Sequence, residues 1–310
     1  MHILEIAREI KPNTRREKFY QLMNTNIFGN CKLWAFDEAS SYFKLKCNDA
    51  CPDYSLNKFN DWLEKKYEQC SIEMKQDHWL DSGKLMNGRE VGKFSDLAVL
   101  KRIVQYAPTN LLDGIWLSNI LPVGPCSQVE AILFKIRMDE AGNGVFEENH
   151  PNLYLRLLDS INEKLPSVFV KDFSTDNRLL DYSFEESIFQ MCVGLFPQDF
   201  LPELLGMTLF MEWTATPTSL QIAKCLKKRK IESQYYWVHA QIDNIKNGHG
   251  FLAKRAIELY LKQIEECNNK QVQIHWRRIW NGYHTWERIN LEFEQVLQDK
   301  LEIFDKKRIE

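Results

Sequence analysis

The chain has 310 residues, 44% of them hydrophobic and 27% charged, the composition of an ordinary globular protein able to bury a large core. A formal net charge of −3 gives no whole-chain electrostatic case for nucleic acid, and no apolar run is long enough to span a bilayer. The N-terminal Met1-His2-Ile3-Leu4-Glu5-Ile6 carries an acid where a signal peptide needs a basic start. A cytoplasmic chain is therefore expected, with neither nucleic acid nor membrane as partner.

Residues 1–90 hold helical candidates at 17–24 and 56–70 around an irregular turn at 47–53, and no recognisable chemistry. Phe59, Trp62, Leu63 and Tyr67 recur at helical spacing and predict a core-facing stripe. Ser82-Gly83 and Asn87-Gly88 are turn signals that place a boundary near 82–92. The expected organisation is an N-terminal helical extension over 1–90 and a main helical domain over 91–310. The eight cysteines are scattered, with only Cys47 and Cys51 close together and no second pair at metal-ligand spacing. Reduced thiols packed as small hydrophobes are expected.

From Ser95 the pattern is helical through Leu97, Val99, Leu100, Ile103 and Val104, until Pro108 interrupts it. Asp113 is the lone charge in the apolar run Leu111-Leu112-Asp113-Gly114-Ile115-Trp116-Leu117, and locally it reads as a helix cap. A helix over 129–140 ends at Gly142-Asn143-Gly144, with Glu140 the last charge before the break. His150-Pro151 opens the next helix, since proline is favoured in a first turn. The glycine-rich break is no phosphate loop, because it follows a helix and lacks the Lys-Ser/Thr pair. It can fold the chain back so that Glu140 and His150 meet.

Helices are predicted over 180–196 and 201–216, the second apolar on most sides and ended by Pro217. Glu212 lies inside it, where a carboxylate needs either a salt-bridge partner or a cation. Residues 235–250 read as one helix in which His239 and Asp243, four apart, share a face. The plain reading of that pair is a hydrogen bond that fixes the helix; a bound cation is the alternative. The remaining helices, over 253–265 and 271–300, carry Trp276, Trp280, Tyr283 and Trp286 at spacing that predicts a packed face rather than a platform for bases. Almost nothing reads as strand. The fold class is all-α, a bundle of seven to nine helices joined by proline and glycine breaks.

Glu140, Glu212 and Asp243, with His150, His239 and His249, give three carboxylates and three imidazoles from separate helical blocks. Helical bundles build dinuclear iron or manganese sites from such mixtures on facing helices. At this point the chain resembles the haem-oxygenase-like diiron oxidases, also described as iron-containing redox enzymes. The resemblance rests on the Asp113 run, on Asp139-Glu140-Ala141-Gly142-Asn143-Gly144 followed by Asn149-His150-Pro151-Asn152-Leu153-Tyr154, on Leu205-Gly206-Met207 leading to Glu212, and on His239, Asp243 and His249. It covers residues 95–262 with the blocks in the same order.

The resemblance implies a bundle of about seven core helices without haem, two Fe(II) ions with manganese as the alternative, and dioxygen as co-substrate. It implies Glu140, Glu212 and Asp243 as catalytic carboxylates, Glu140 bridging, with His150, His239 and His249 as imidazole ligands and Asp113 in the place of an early-helix Glu. The chemistry implied is N-oxygenation, desaturation or C–C cleavage of an amino-acid-like or fatty-acid-like small molecule. An electron donor or reductase is an expected partner, and a homodimer is left open. Two departures stand out. Asp113 is a shorter carboxylate, and Lys246 sits where many members carry a histidine. His249 is the next imidazole, but on an ideal helix it lies about 80° around from His239. A distorted turn near Asn247-Gly248 is expected to bring it in and leave Lys246 outside. The competing readings are a metal-independent enzyme of the same fold, like thiaminase or quinone-cofactor synthase, and a non-catalytic helical interaction protein.

Overall fold

Capping chemistry explains several helix starts. The Thr14 hydroxyl accepts from the Glu17 amide to open α1 (Arg15–Met23), and Ser127 with Glu130 forms a reciprocal capping box for α6 (Gln128–Glu140). Asn149 caps α7 (His150–Ser160) by accepting from the Asn152 amide, with proline in the first turn as expected. The computed structural model describes residues 11–44, 51–76, 85–86, 89–90, 96–121 and 124–306. In chain order the other helices are α2 (Cys31–Lys44), α3 (Leu56–Gln76), α4 (Asp96–Gln105), the short α5 (Ala107–Asn110), α8 (Lys171–Thr175), α9 (Glu185–Gly194), α10 (Leu201–Lys228), α11 (Gln234–Ile242), α12 (His249–Asn268) and α13 (Val272–Lys306). Leu85–Met86 and Arg89–Glu90 pair as a two-residue antiparallel ladder between α3 and α4. The rest of the boundary expected at 82–92, the N-terminal Met1–Ile6 run and Cys47 lie outside the described residues.

The protein is all-α, as the periodicity predicts. The long helices α10 and α13 pack along one another, and α10 also packs on α3, α11 and α12. One continuous core joins residues from the N-terminal helices (Phe19, Trp34, Phe59) to those of the main bundle (Leu133, Phe189, Leu205, Trp276). Indole N–H groups tie the two parts together: Trp213 donates to the Leu63 carbonyl and Trp276 to the Pro52 carbonyl, both at 2.9 Å. Among the described residues, no helix is long and apolar enough to cross a membrane.

Three elements differ from expectation. Helix α2 was not anticipated. Its stripe of Cys31, Trp34, Ala35, Ala39 and Tyr42 is broken in sequence by Glu38, which is buried because Lys11 and Lys18 neutralise it. Residues 181–184 form a 3-10 turn, so the helix expected over 180–196 begins only at Glu185. Pro217 does not end α10. A proline removes a single backbone hydrogen bond, and a 28-residue helix packed on several neighbours keeps its course past that loss.

Trp276 is 2% exposed, and its ring packs against Tyr54, Phe59, Trp62 and Trp280. Trp276→Ala should cost about 3–5 kcal/mol of unfolding free energy, read from urea denaturation midpoints. A loss under about 1 kcal/mol would show that the N-terminal helices do not depend on this contact.

Candidate metal centre

Helix α6 delivers Glu140 at its last residue, and the chain must then reverse to start α7 at His150. Gly142 makes this possible: its φ is +67°, and a Cβ there would lie 2.4 Å from the Asn149 nitrogen. The reversal brings His150 Nδ1 to 2.5 Å from Glu140 Oε2, as the sequence led one to expect. Neither atom has a hydrogen-bond partner, so they converge without the alignment of a hydrogen bond.

The stretch 235–250 is two helices rather than one. Helix α11 ends at Ile242, and Asp243 follows as its C-cap residue. The chain then turns and α12 starts at His249. Gly248 sits so close to the end of α11 that a Cβ would lie 2.0 Å from the Ile242 carbonyl oxygen. This break, rather than a local distortion of one helix, carries His249 to the same side as Asp243. Lys246 is exposed on the connecting turn.

Asp113 does not cap a helix. The residue preceding the next 3-10 turn is Gly114, and no side chain caps that turn. The Asp113 carboxylate instead accepts from the Tyr235 hydroxyl at 2.9 Å and faces His239 Nε2 at 3.0 Å and His150 Nδ1 at 3.5 Å. Glu212, from the middle of α10, meets His249 Nδ1 at 3.3 Å, not the Lys or Arg a plain salt bridge would use. His249 Nδ1 also lies 3.2 Å from Asp243 Oδ1 and 3.3 Å from Glu140 Oε1.

The seven residues therefore gather into two adjoining groups. Asp113, Glu140, His150 and His239 form one, and Glu140, Glu212, Asp243 and His249 the other, each with one ligand-type atom per residue within 4.8 Å of the rest. Glu140 belongs to both. Relative exposures of 1% for Glu140 and His150, 3% for Glu212, 0% for Asp243 and 2% for His249 place these groups out of bulk water. The rings of Tyr235 and His150 pack on that of His239, each with centroids 4.4 Å apart, and Tyr154 backs Tyr235.

Buried acids this close must share positive charge. Burial and the Asp243 charge push the Glu212 carboxyl up to about 8. Burial opposes charge on His150, but the Glu140 carboxylate outweighs it and raises the ring to about 9. Burial likewise opposes the charged forms of His239 and His249, and their carboxylate neighbours lift both well above the usual imidazole range. For Asp113, burial is outweighed by the neighbouring His150 and His239 rings, which hold it far below the carboxylate range.

The donor set fits divalent cations on three counts. Both Asp243 oxygens, Glu140 Oε2, His150 Nδ1 and His249 Nδ1 are buried polar atoms without hydrogen-bond partners, all aimed into these groups. Four carboxylates match the charge of two divalent ions. Two imidazoles are held at the nitrogen remote from the centre: His239 Nδ1–H donates to the Tyr235 carbonyl at 2.8 Å, and His249 Nε2–H to Asp139 Oδ2 at 3.0 Å. Asp139 and Tyr235 were not singled out from sequence as site residues. Both stood one helical step from residues that were, Asp139 beside Glu140 and Tyr235 one turn before His239.

An all-helical bundle enclosing paired carboxylate–histidine groups defines a class of metal-type centre. A family described as iron-containing redox enzymes matches residues 101–283, more than half the chain and a span that includes all seven residues, and this protein belongs to it. No curated protein matches the chain.

The raised groups fix a pH dependence for the metal-free protein. Glu212 and His150 hold protons in the folded state that the unfolded chain releases near 4.5 and 6.5, so the stability they contribute is fully present below those values and is lost as pH rises through about 8 and about 9. The depressed Asp113 and Glu140 act only at acid pH and leave this window alone. The thermal midpoint of metal-free protein should fall between about pH 6 and 9. Added Mn(II) or Zn(II) should raise it more at the upper end, where protons compete least. A metal-free midpoint that climbs across this range would contradict the proton assignment.

Proposed function

We propose that the protein is a non-haem diiron oxidase or oxygenase, which uses dioxygen on a small organic substrate of amino-acid-like or fatty-acid-like character. The observation that carries this reading is the position of Glu140, one carboxylate common to two buried four-residue groups. A carboxylate so placed bridges two cations, and imidazole with carboxylate suits iron. A porphyrin iron takes only one or two axial side chains, so four clustered carboxylates favour bare ions.

In this reading Asp113, His150 and His239 would hold one iron and Glu212, Asp243 and His249 the other, with Glu140 belonging to both groups. Iron bound there would supply redox chemistry toward dioxygen. The chain's own residues prepare the place for that chemistry. Tyr235 orients Asp113 by donating to Oδ2, and the Tyr235 carbonyl fixes the His239 ring. Tyr154 and Tyr235 wall the centre and help exclude water, which strengthens every charge interaction inside. The electrons come from outside the chain, so an electron donor or reductase is the expected partner.

Anaerobic loading with Fe(II) should give two irons per chain by metal analysis, matching the two groups, and the loaded protein should consume dioxygen when a substrate of the right class is supplied. Asp243→Ala should lose most of the iron and His249→Ala one of the two ions, whereas the exposed Lys246→Ala should retain both. Iron content unchanged in Asp243→Ala and His249→Ala would overturn the assignment and leave a metal-independent enzyme as the better reading.

A further inference from the structure

Asp139 lies outside both four-residue groups, yet it is tied to them more firmly than a solvent-facing acid at a helix end needs to be. Its Oδ2 accepts from His249 Nε2 at 3.0 Å and from Lys135 Nζ at 3.3 Å, and its Oδ1 accepts from Asn143 Nδ2 at 2.9 Å. Lys135 is one turn before it on α6, and Asn143 is four residues after it, in the glycine-flanked reversal. Asn143 has φ +52°, a left-handed conformation that asparagine tolerates better than most residues. The Asp139 carboxylate is thus clamped from both sides along the chain and aimed at one ring nitrogen of a residue 110 positions away.

A carboxylate can only accept, so His249 Nε2 must carry the hydrogen of that contact. The same ring's Nδ1 is the atom facing Glu140, Glu212 and Asp243 at 3.2–3.3 Å. His239, by contrast, is held at its remote nitrogen by a neutral backbone carbonyl. We infer that Asp139 is the positioning residue for His249: it selects Nδ1 as the metal-binding nitrogen, and the Gly142-Asn143-Gly144 turn supplies the amide that keeps Asp139 in place. The inference rests on the diiron reading and adds to it an asymmetry. His249 is backed by an anion, which makes that ring a more basic donor than His239, backed by a neutral carbonyl.

Three variants test this with metals that need no turnover. Co(II) titration followed by visible absorption should show two positions filling in the wild-type protein. Asp139→Ala should weaken one of them by about tenfold to a hundredfold and leave the other unchanged. Asp139→Asn keeps an acceptor oxygen without the charge and should recover part of that loss. Asn143→Gly keeps the left-handed backbone without the amide and should weaken the same position by less. In protein labelled with nitrogen-15 histidine and loaded with diamagnetic Zn(II), His249 should show a metal-bound Nδ1 and a slowly exchanging Nε2–H, and that proton should exchange rapidly in Asp139→Ala. Should Asp139→Ala fold poorly by circular dichroism, Asp139→Asn carries both measurements alone. Unchanged affinities, equal losses at both positions, or a His249 bound through Nε2 would each overturn the inference while two ions still bind. A wild-type protein that takes up no metal would overturn the diiron reading itself, and this inference with it.

Discussion

Carboxylates kept out of water by one another are the constraint on which the rest of this structure depends. Each buried ion costs several kcal/mol of lost hydration, and acids placed side by side add repulsion to that cost. Here Glu140, Glu212 and Asp243 are almost wholly enclosed and Asp113 stands beside them. Such a cluster persists only if positive charge is set among the oxygens, as protons on imidazoles or as cations. The three histidines are placed where they serve either way. Tyr235 and Asp139 then determine how those acids and rings are held.

The scaffold meets this constraint by dividing labour between rigid and reversing segments. Glu212 comes from the interior of α10, which is fixed by its packing on α13 and by the Trp213 hydrogen bond to α3. Of the other six, His239 lies in the last turn of α11 and the remaining five come from places where the chain turns. That arrangement lets acids from distant parts of the sequence meet without interrupting the apolar helices that form the core. It also explains why the N-terminal helices share one core with the bundle. Through α3 they pack on α10, and so help hold the one ligand-bearing helix that does not end at the centre.

Much of this was legible in the sequence, for identifiable reasons. Helices α6 and α7 announce themselves through Ser127 with Glu130, Asn149 with Pro151, and the glycine break between them. These are local signals, and they sufficed to bring Glu140 and His150 together. Asp113 reads locally as a cap because its real partners, Tyr235 and His239, lie more than a hundred residues onward, beyond any local window. The stretch 235–250 looked like one helix because its apolar residues keep helical spacing. The turn chemistry of Asn244, Asn247 and Gly248 was present, but its purpose, a close backbone approach to Ile242, shows only in three dimensions. Helix α2 was hidden by Glu38, since a charge inside an apolar stripe reads as surface until its lysines are seen.

Where the acids and rings sit along their helices has a further consequence. Glu140 is the last residue of α6 and His150 the first of α7; Asp243 follows the end of α11 and His249 begins α12. Two helix starts and two helix ends therefore contribute to the centre, and their terminal partial charges are of opposite sign. Helix termini are also the parts of a fold that fray first, at a free-energy cost far below that of global unfolding. At these four termini the site residues are buried, so order at the centre rests on the packing around them. An ion held there would tie the four termini together, so that occupancy of the centre and order of the surrounding backbone would rise and fall together.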